Sequence, residues 1–236
     1  VDNLKRKNYF AKIPKWTIDS IKILISIVYI YAGLAKINSD WLLKAMPLKI
    51  WLPSKYDIPV IGDYLLQQEW VHYLMSWSGM IYDLSIPFLL FYKKTRAFAF
   101  ILVIIFHLFT AVLFPIGMFP YIMIIASLIF FDSKFHNKII RLIKIIISPI
   151  KKYNIEKVEK FKYVYSKLIT SIVIIFLIIQ LIFPFRFFIY PGNLFWNEEG
   201  YRFSWRVMLM EKMGYTTFKI VDGVSNKYFY VDNKDF

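Results

Sequence analysis

Three side chains able to carry protons stand inside otherwise apolar stretches: Lys36 in YAGLAKINSDW, Asp83 in SGMIYDLSIPF and His107 in VIIFHLFTAVLF. A charged side chain at bilayer depth costs about 2.5 to 3.5 kcal/mol even on insertion scales, so each of these groups needs a partner or a task. Lys36 precedes the polar exit Asn38-Ser39-Asp40 by only one turn and could extend outward to water. Asp83 lies ten residues from Lys93 and reaches water less easily; an ion pair with Lys36 or His107, holding helices in register, would satisfy it. His107 stands seven residues before Phe114, about 10 Å below the C-terminal end of its apolar run at 1.5 Å per residue, where a hydrogen bond to a backbone carbonyl is its plain structural use. The chemical alternative is that an amine, a carboxylate and an imidazole approach one another around a shared apolar cavity, since isolated charges there would be unpaired.

The elements that must position them belong to a membrane. With 58% hydrophobic residues and 20% aromatics, and a mean hydropathy of +0.49, the chain is too apolar for an ordinary soluble domain. Apolar windows predict five crossings at about 17–37, 71–92, 97–114, 120–131 and 169–188, the fourth being short unless the turn PIGMF at 115–119 lies at membrane depth. The fold class expected is an all-α integral membrane protein with about five transmembrane helices, interfacial helices and a short C-terminal β-hairpin. No cysteine occurs, which excludes disulfides and thiolate metal sites, and no metal is expected. The chain opens on Val1 and stops just after a strand-like run, so it is expected to be a fragment cut at both ends.

The net charge of +14 is a topology signal. Residues 1–22, 93–96 and 132–167 hold nineteen Lys/Arg against five acids, whereas 37–72 and 191–236 hold nine against ten. These sets alternate across a five-crossing chain, which places the N-terminus in the cytoplasm and Lys36 at the far side. The basic residues are thereby accounted for by topology and anionic lipid, and nucleic-acid binding is not expected. KIIRLIKIIISPIKK sets Lys138, Arg141, Lys144 and Lys151 at helical spacing among isoleucines, an interfacial amphipathic helix ended by Pro149. Segment 38–70 reads as aromatic anchors and short helices at the outer interface. Beyond Pro191 the pattern changes: TTFKIV and KYFYV flank DGVSN, a hairpin signal. Two domains are expected, 1–190 transmembrane and 191–236 opening an extracytoplasmic β-rich unit.

Three stretches together carry a resemblance. YAGLAKINSDW resembles the AG-x-x-K-x-x-x-D-W stretch of the vitamin K-dependent gamma-carboxylases and the broader horizontally transferred transmembrane (HTTM) domain family; FHLFTAVLFPIGMFPYIM resembles its F-H-x6-F-x-IGMF-x-Y-x-M stretch; and GYRFSWRVMLMEKMG resembles its Y-x-x-SW stretch. The order is the same, and the likeness, that of a bacterial-type member, covers residues 20 to 232. It implies a carbon-carbon lyase that couples oxygenation of vitamin K hydroquinone, or a related quinol, to carboxylation of glutamate. A base takes a proton from the quinol, oxygen adds, the alkoxide formed takes the γ-proton of glutamate, and carbon dioxide adds to the carbanion.

By the motif match Lys36 is the proton acceptor, with Asp83 and His107 as its catalytic neighbours. A lysine can be a base only as the free amine, the form that a low-dielectric site favours. The resemblance further implies that Ile116, Gly117, Met118 and Phe119 bind the quinol. Trp196, Tyr201, Arg202, Trp205 and Arg206 are expected to present an acidic peptide or protein substrate, with arginine forks for carboxylates and rigid apolar walls. The alternative for the arginines is surface pairing with Glu198, Glu199 or Glu211. Ala35 stands where the animal enzymes carry a second lysine. Partners implied are the lipid bilayer, a quinol and a glutamate-containing substrate, in a bacterial inner membrane or its equivalent with the active site facing outward. AG-x-x-K alone is shared with small DoxX-like proteins, so a quinone-linked oxidoreductase subunit and a non-catalytic scaffold stay open as alternatives.

Overall fold

The computed structural model describes residues 8–10, 13–146, 157–159, 166–212, 214 and 216–231. Helix α1 (Lys15–Ala35) starts directly after Pro14, whose carbonyl accepts the Thr17 hydroxyl at 2.7 Å. It ends where Asn38 caps the next helix, α2 (Ser39–Lys44), its side chain accepting the Trp41 N–H at 2.9 Å. The short α3 (Leu48–Trp51) and a 3₁₀ turn at Pro53–Lys55 follow, as expected for an interfacial loop. Then come α4 (Glu69–Phe91), α5 (Arg96–Leu113) and α6 (Phe119–Ser127), the last running on as a 3₁₀ turn to Phe130.

Helix α7 (Ser133–Ile146) exposes Lys134, Lys138 and Arg141 together with Ile140, Leu142 and Ile143. This is the amphipathic helix expected, while Pro149 and Lys151 lie outside the described residues. Helix α8 (Ser166–Ile182) passes into a 3₁₀ stretch at Phe183–Ile189, and the four-residue α9 (Leu194–Asn197) follows. Two small sheets are present among the described residues. Strand β1 (Asn8–Phe10) pairs in parallel with β2 (Lys157–Glu159), which ties the N-terminal end to the connection between α7 and α8. Strand β3 (Phe218–Val221) pairs antiparallel with β4 (Tyr228–Val231), in register Phe218 to Val231. The Asp222 carboxylate closes that hairpin by accepting the Val224 N–H at 3.1 Å and the Ser225 N–H at 3.3 Å.

Among the described residues four helices are long and apolar enough to cross a membrane: Lys15–Ala35, Glu69–Phe91, Arg96–Leu113 and Lys167–Ile189. The fifth apolar segment, Phe119–Phe130, is shorter. Its rise of roughly 18 Å falls well below a hydrocarbon core of about 30 Å. The turn before it has irregular backbone, with Gly117 at φ +60. Backbone of this kind survives at membrane depth only against protein or a cavity, and Phe114 just before this turn and Ile116 within it both line one.

Among the described helices α1 and α4 pack against each other most extensively. A Cβ on Gly33 would meet Leu84 side-chain carbons at 2.7 Å, so glycine is what lets the two backbones approach. Pro87 inside α4 has no N–H to give the Asp83 carbonyl one turn earlier. Buried apolar side chains gather in two groups, one around Trp41, Leu52, Leu66 and Phe114, the other around Ile25, Ile86, Val103 and Phe130. Lys36, Asp83 and His107 border a cavity whose lining takes residues from both groups.

Candidate functional site

Lys36 follows the last residue of α1, and its side chain runs back along the helix instead of out to solvent. Cα–Cβ bonds of a helix tilt toward its N-terminus, so a long side chain at the C-terminal end is aimed inward. Its Nζ donates to the Ala32 carbonyl at 3.3 Å and to Asp83 Oδ2 at 2.6 Å. Both partners of this ion pair are buried, with side-chain exposures of 11% and 7%. Outward snorkelling is therefore not what Lys36 does. Its ammonium also lies 5.5 Å from the centre of the Trp41 ring, within range of a cation–π contact. Trp41 is held by α4 in turn: its indole N–H donates to the Ser76 carbonyl at 2.8 Å and its own carbonyl accepts the Ser76 hydroxyl.

His107 sits on α5, with Nε2 3.0 Å from the Tyr29 hydroxyl, and both side chains are buried. The Tyr82 ring stacks on Phe106, its centroid at 3.9 Å, and meets His107 edge-on at 6.2 Å.

Lys36, Asp83 and His107 all line one cavity of about 120 Å³. Three helical stripes build it: Tyr29, Ala32 and Lys36 from α1; Met75, Gly79 and Asp83 from α4; His107, Thr110 and Phe114 around the end of α5. Within each stripe the residues are three or four apart, the spacing that keeps side chains on one helix face. Trp41, Trp51, Phe106 and Phe119 supply flat apolar walls, and Trp205, Val207 and Met208 close it from the C-terminal segment. Gly79 leaves room at the centre, since a Cβ there would stand 4.0 Å from both Lys36 Cε and Trp41.

Of the four residues IGMF, Ile116 and Phe119 line the cavity. Met118 is exposed, and Gly117 supplies the turn. Of the expected substrate residues, Trp205 reaches the cavity, while Trp196 is 75% exposed. Tyr201 is half-buried, which pushes its phenol up from the usual value, and it donates to the Arg206 carbonyl at 2.5 Å. The Arg206 guanidinium lies between the rings of Phe187 and Phe195, at 4.6 and 5.6 Å, and burial there works against its charge. Arg202 is exposed, and its carbonyl accepts from Arg186 at 2.7 Å. Neither arginine takes the glutamates offered by the surface alternative: Glu198 pairs with Lys212 at 2.6 Å, and Glu211 accepts the Trp51 indole N–H at 2.5 Å.

Sequence reasoning passed over Tyr29, Trp41, Gly79 and Thr110. The signal that finds three of them is helical spacing from the ionisable residues: Tyr29 is seven before Lys36, Gly79 four before Asp83 and Thr110 three after His107.

Fold and site together define an α-helical integral membrane protein with a buried lysine–aspartate ion pair in an apolar cavity. Residues 1–135 match the family model described as HTTM domain, and the chain belongs to that family. Residues 165–236 match the vitamin K-dependent gamma-carboxylase, lumenal domain, which makes this a gamma-carboxylase-like membrane protein. No solved structure matches the chain.

Proposed function

We propose that the chain carries the proton-accepting site of a membrane carboxylase of the vitamin K-dependent gamma-glutamyl type. The observation that supports this most is the buried Lys36–Asp83 pair, at 2.6 Å, facing an apolar cavity walled by aromatic rings. Such a cavity suits a flat, lipid-soluble quinol: the walls take the ring, and the ionisable groups of the lining form two pairs, Lys36–Asp83 and Tyr29–His107. A quinol bound here supplies, with oxygen, the base strong enough to take the γ-proton of glutamate, and carbon dioxide then adds to the glutamate carbanion.

The chain's part is the first proton. Lysine and aspartate share one proton and are neutral as a pair, whichever of them holds it. On taking a second, the pair becomes an ammonium beside a carboxylic acid, with one positive charge to set against the quinol anion left behind. Both charges arise together in a dry site, where opposite charges at short range attract strongly. Trp41 faces that ammonium and adds to its stability. The apolar walls exclude water, which would otherwise return the proton.

In this reading the site faces outward and the N-terminus is cytoplasmic, in a bacterial inner membrane or its equivalent. The segment 194–212, with Trp196, Tyr201, Arg202, Trp205 and Arg206, presents the acidic substrate. Trp205 brings it to the cavity mouth. Arg202 is exposed with no ion pair among the described residues, which leaves its fork for a carboxylate.

The test is incorporation of labelled bicarbonate into a glutamate peptide, with vitamin K hydroquinone, by the purified protein in lipid nanodiscs. The proposal expects incorporation that falls about 10² to 10⁴-fold in Lys36→Ala, the usual loss for a positioned general base. Quinol oxidation with no incorporation would replace it by the quinone-linked oxidoreductase reading.

A further inference from the structure

Deeper in the same cavity lies a second hydrogen-bonded pair that the first proton transfer leaves unused. The Tyr29 hydroxyl and His107 Nε2 are 3.0 Å apart, the two residues are 2% and 4% exposed, and both line the cavity. We propose that Tyr29 and His107 form the far end of the ligand site, a neutral pair that holds the ring oxygen opposite the one that loses its proton at Lys36–Asp83. This rests on the reading of the cavity as a quinol site and adds to it which end of the ring goes where.

The spacing suits two ends. Lys36 Nζ folds back to within 3.3 Å of the Ala32 carbonyl. Ala32 lies three residues beyond Tyr29, about 4.5 Å along the helix axis. The polar pairs thus belong to successive turns of α1, with apolar Val28, Phe106 and Phe119 lining the cavity around the inner one. A ring bearing oxygens at both ends can satisfy both pairs at once, whereas a ring with one oxygen leaves the other pair facing carbon.

The pair also suits an oxygen whose role changes. A neutral imidazole accepts at one ring nitrogen and donates at the other, and a phenol does both. When Tyr29 donates to Nε2, its oxygen still accepts, which fits the hydroxyl of a quinol. When Nε2 carries the proton and donates to Tyr29, the phenol hydrogen can be given to a carbonyl, in competition with the Ser127 and Tyr82 hydroxyls beside it. The two neutral tautomers therefore offer the far oxygen a hydrogen bond in either oxidation state, and neither places a charge in the cavity. An ion pair at this end would not do so.

The cavity contains its own reporters, since Trp41, Trp51 and Trp205 line it. The full chain in nanodiscs is titrated anaerobically with 1,4-dihydroxynaphthalene, oxygenated at both ends, and with 1-naphthol, oxygenated at one, following tryptophan quenching. The proposal expects the first probe to bind more tightly. Tyr29→Phe then weakens it about five- to tenfold, the size of one buried hydrogen bond, and leaves 1-naphthol unchanged. His107→Gln serves as the second variant and keeps the test open should the first fail to fold. Equal weakening of both probes would mean that Tyr29 only braces α1 against α5, and no change in either would mean that it meets no ligand oxygen; each result overturns the inference while the quinol site stands. If neither probe binds the unaltered protein, the quinol reading itself falls and takes the inference with it.

Discussion

Lys36 and Asp83 set a cost for each other that explains why neither is replaceable alone. Breaking a buried ion pair by removing one partner costs about 3 to 5 kcal/mol, because the other charge is left without compensation, whereas replacing both by apolar groups of similar volume is often neutral. Lys36→Met and Asp83→Leu should therefore each lower stability by about 3 kcal/mol, and the double variant should recover most of it, as read by thermal unfolding in detergent. Carboxylation should be lost in all three, which separates the pair's chemistry from its structural share. Simple additivity of the two stability losses would show that the pair is not coupled. At this scale the sequence was readable where charge betrays itself. Lys36, Asp83 and His107 are conspicuous because apolar helices surround them, and they do line one cavity. Tyr29 and Trp41 were not, because aromatic residues are ordinary in membrane helices and at their ends. Gly79 contributes by having no side chain, which no residue-type rule singles out.

Two glycines do opposite work on the elements that bring the site together. At Gly33 an added Cβ would meet Leu84 side-chain carbons at 2.7 Å and the Leu84 backbone nitrogen at 3.1 Å, so Gly33→Ala must push α1 away from α4. Overpacking of this kind costs about 1 to 3 kcal/mol. It should be partly relieved by Leu84→Ala, and because the Lys36–Asp83 contact joins the same two helices, activity should fall with the stability. At Gly79 the nearest atoms to an added Cβ are 4.0 Å away, an ordinary contact, so Gly79→Ala should unfold at the same temperature as the unaltered protein. It takes space from the cavity beside Lys36 and should raise the apparent KM for quinol severalfold. A lowered unfolding temperature in Gly79→Ala, or an unchanged one in Gly33→Ala, would contradict this division. Helix positions were legible because apolar runs of this length leave few alternatives, and the hairpin because DGVSN breaks two strand-like runs. The path of 194–212 was not: Glu198, Phe203, Trp205 and Met208 have positive φ. Left-handed backbone in non-glycine residues is imposed by surrounding contacts and leaves no periodic pattern to read.

Across the whole molecule, the cavity joins regions far apart in the chain. Its stripes come from α1, α4 and α5, within the residues matched as the HTTM domain, and Trp205, Val207 and Met208 come from the residues matched as a lumenal domain. Those contacts require the C-terminal segment to lie on the same side of the membrane as the end of α1. From the alternation of basic and near-neutral segments we propose that this side is the outer one. Absence of cysteine makes the assignment easy to test, since any single cysteine introduced is the only thiol. Ser39 is exposed just beyond Lys36, Val224 is 98% exposed in the hairpin loop, and Ser133 is exposed at the start of α7. Ser39→Cys and Val224→Cys should react with an impermeant maleimide added to intact cells, and Ser133→Cys only after the membrane is permeabilised. Labelling of Ser39→Cys and Val224→Cys from opposite sides would break the contact between the two matched regions, and with it the cavity. Labelling of Ser133→Cys alone from outside would keep the cavity intact and invert the protein, moving the entry of an acidic substrate to the cytoplasm.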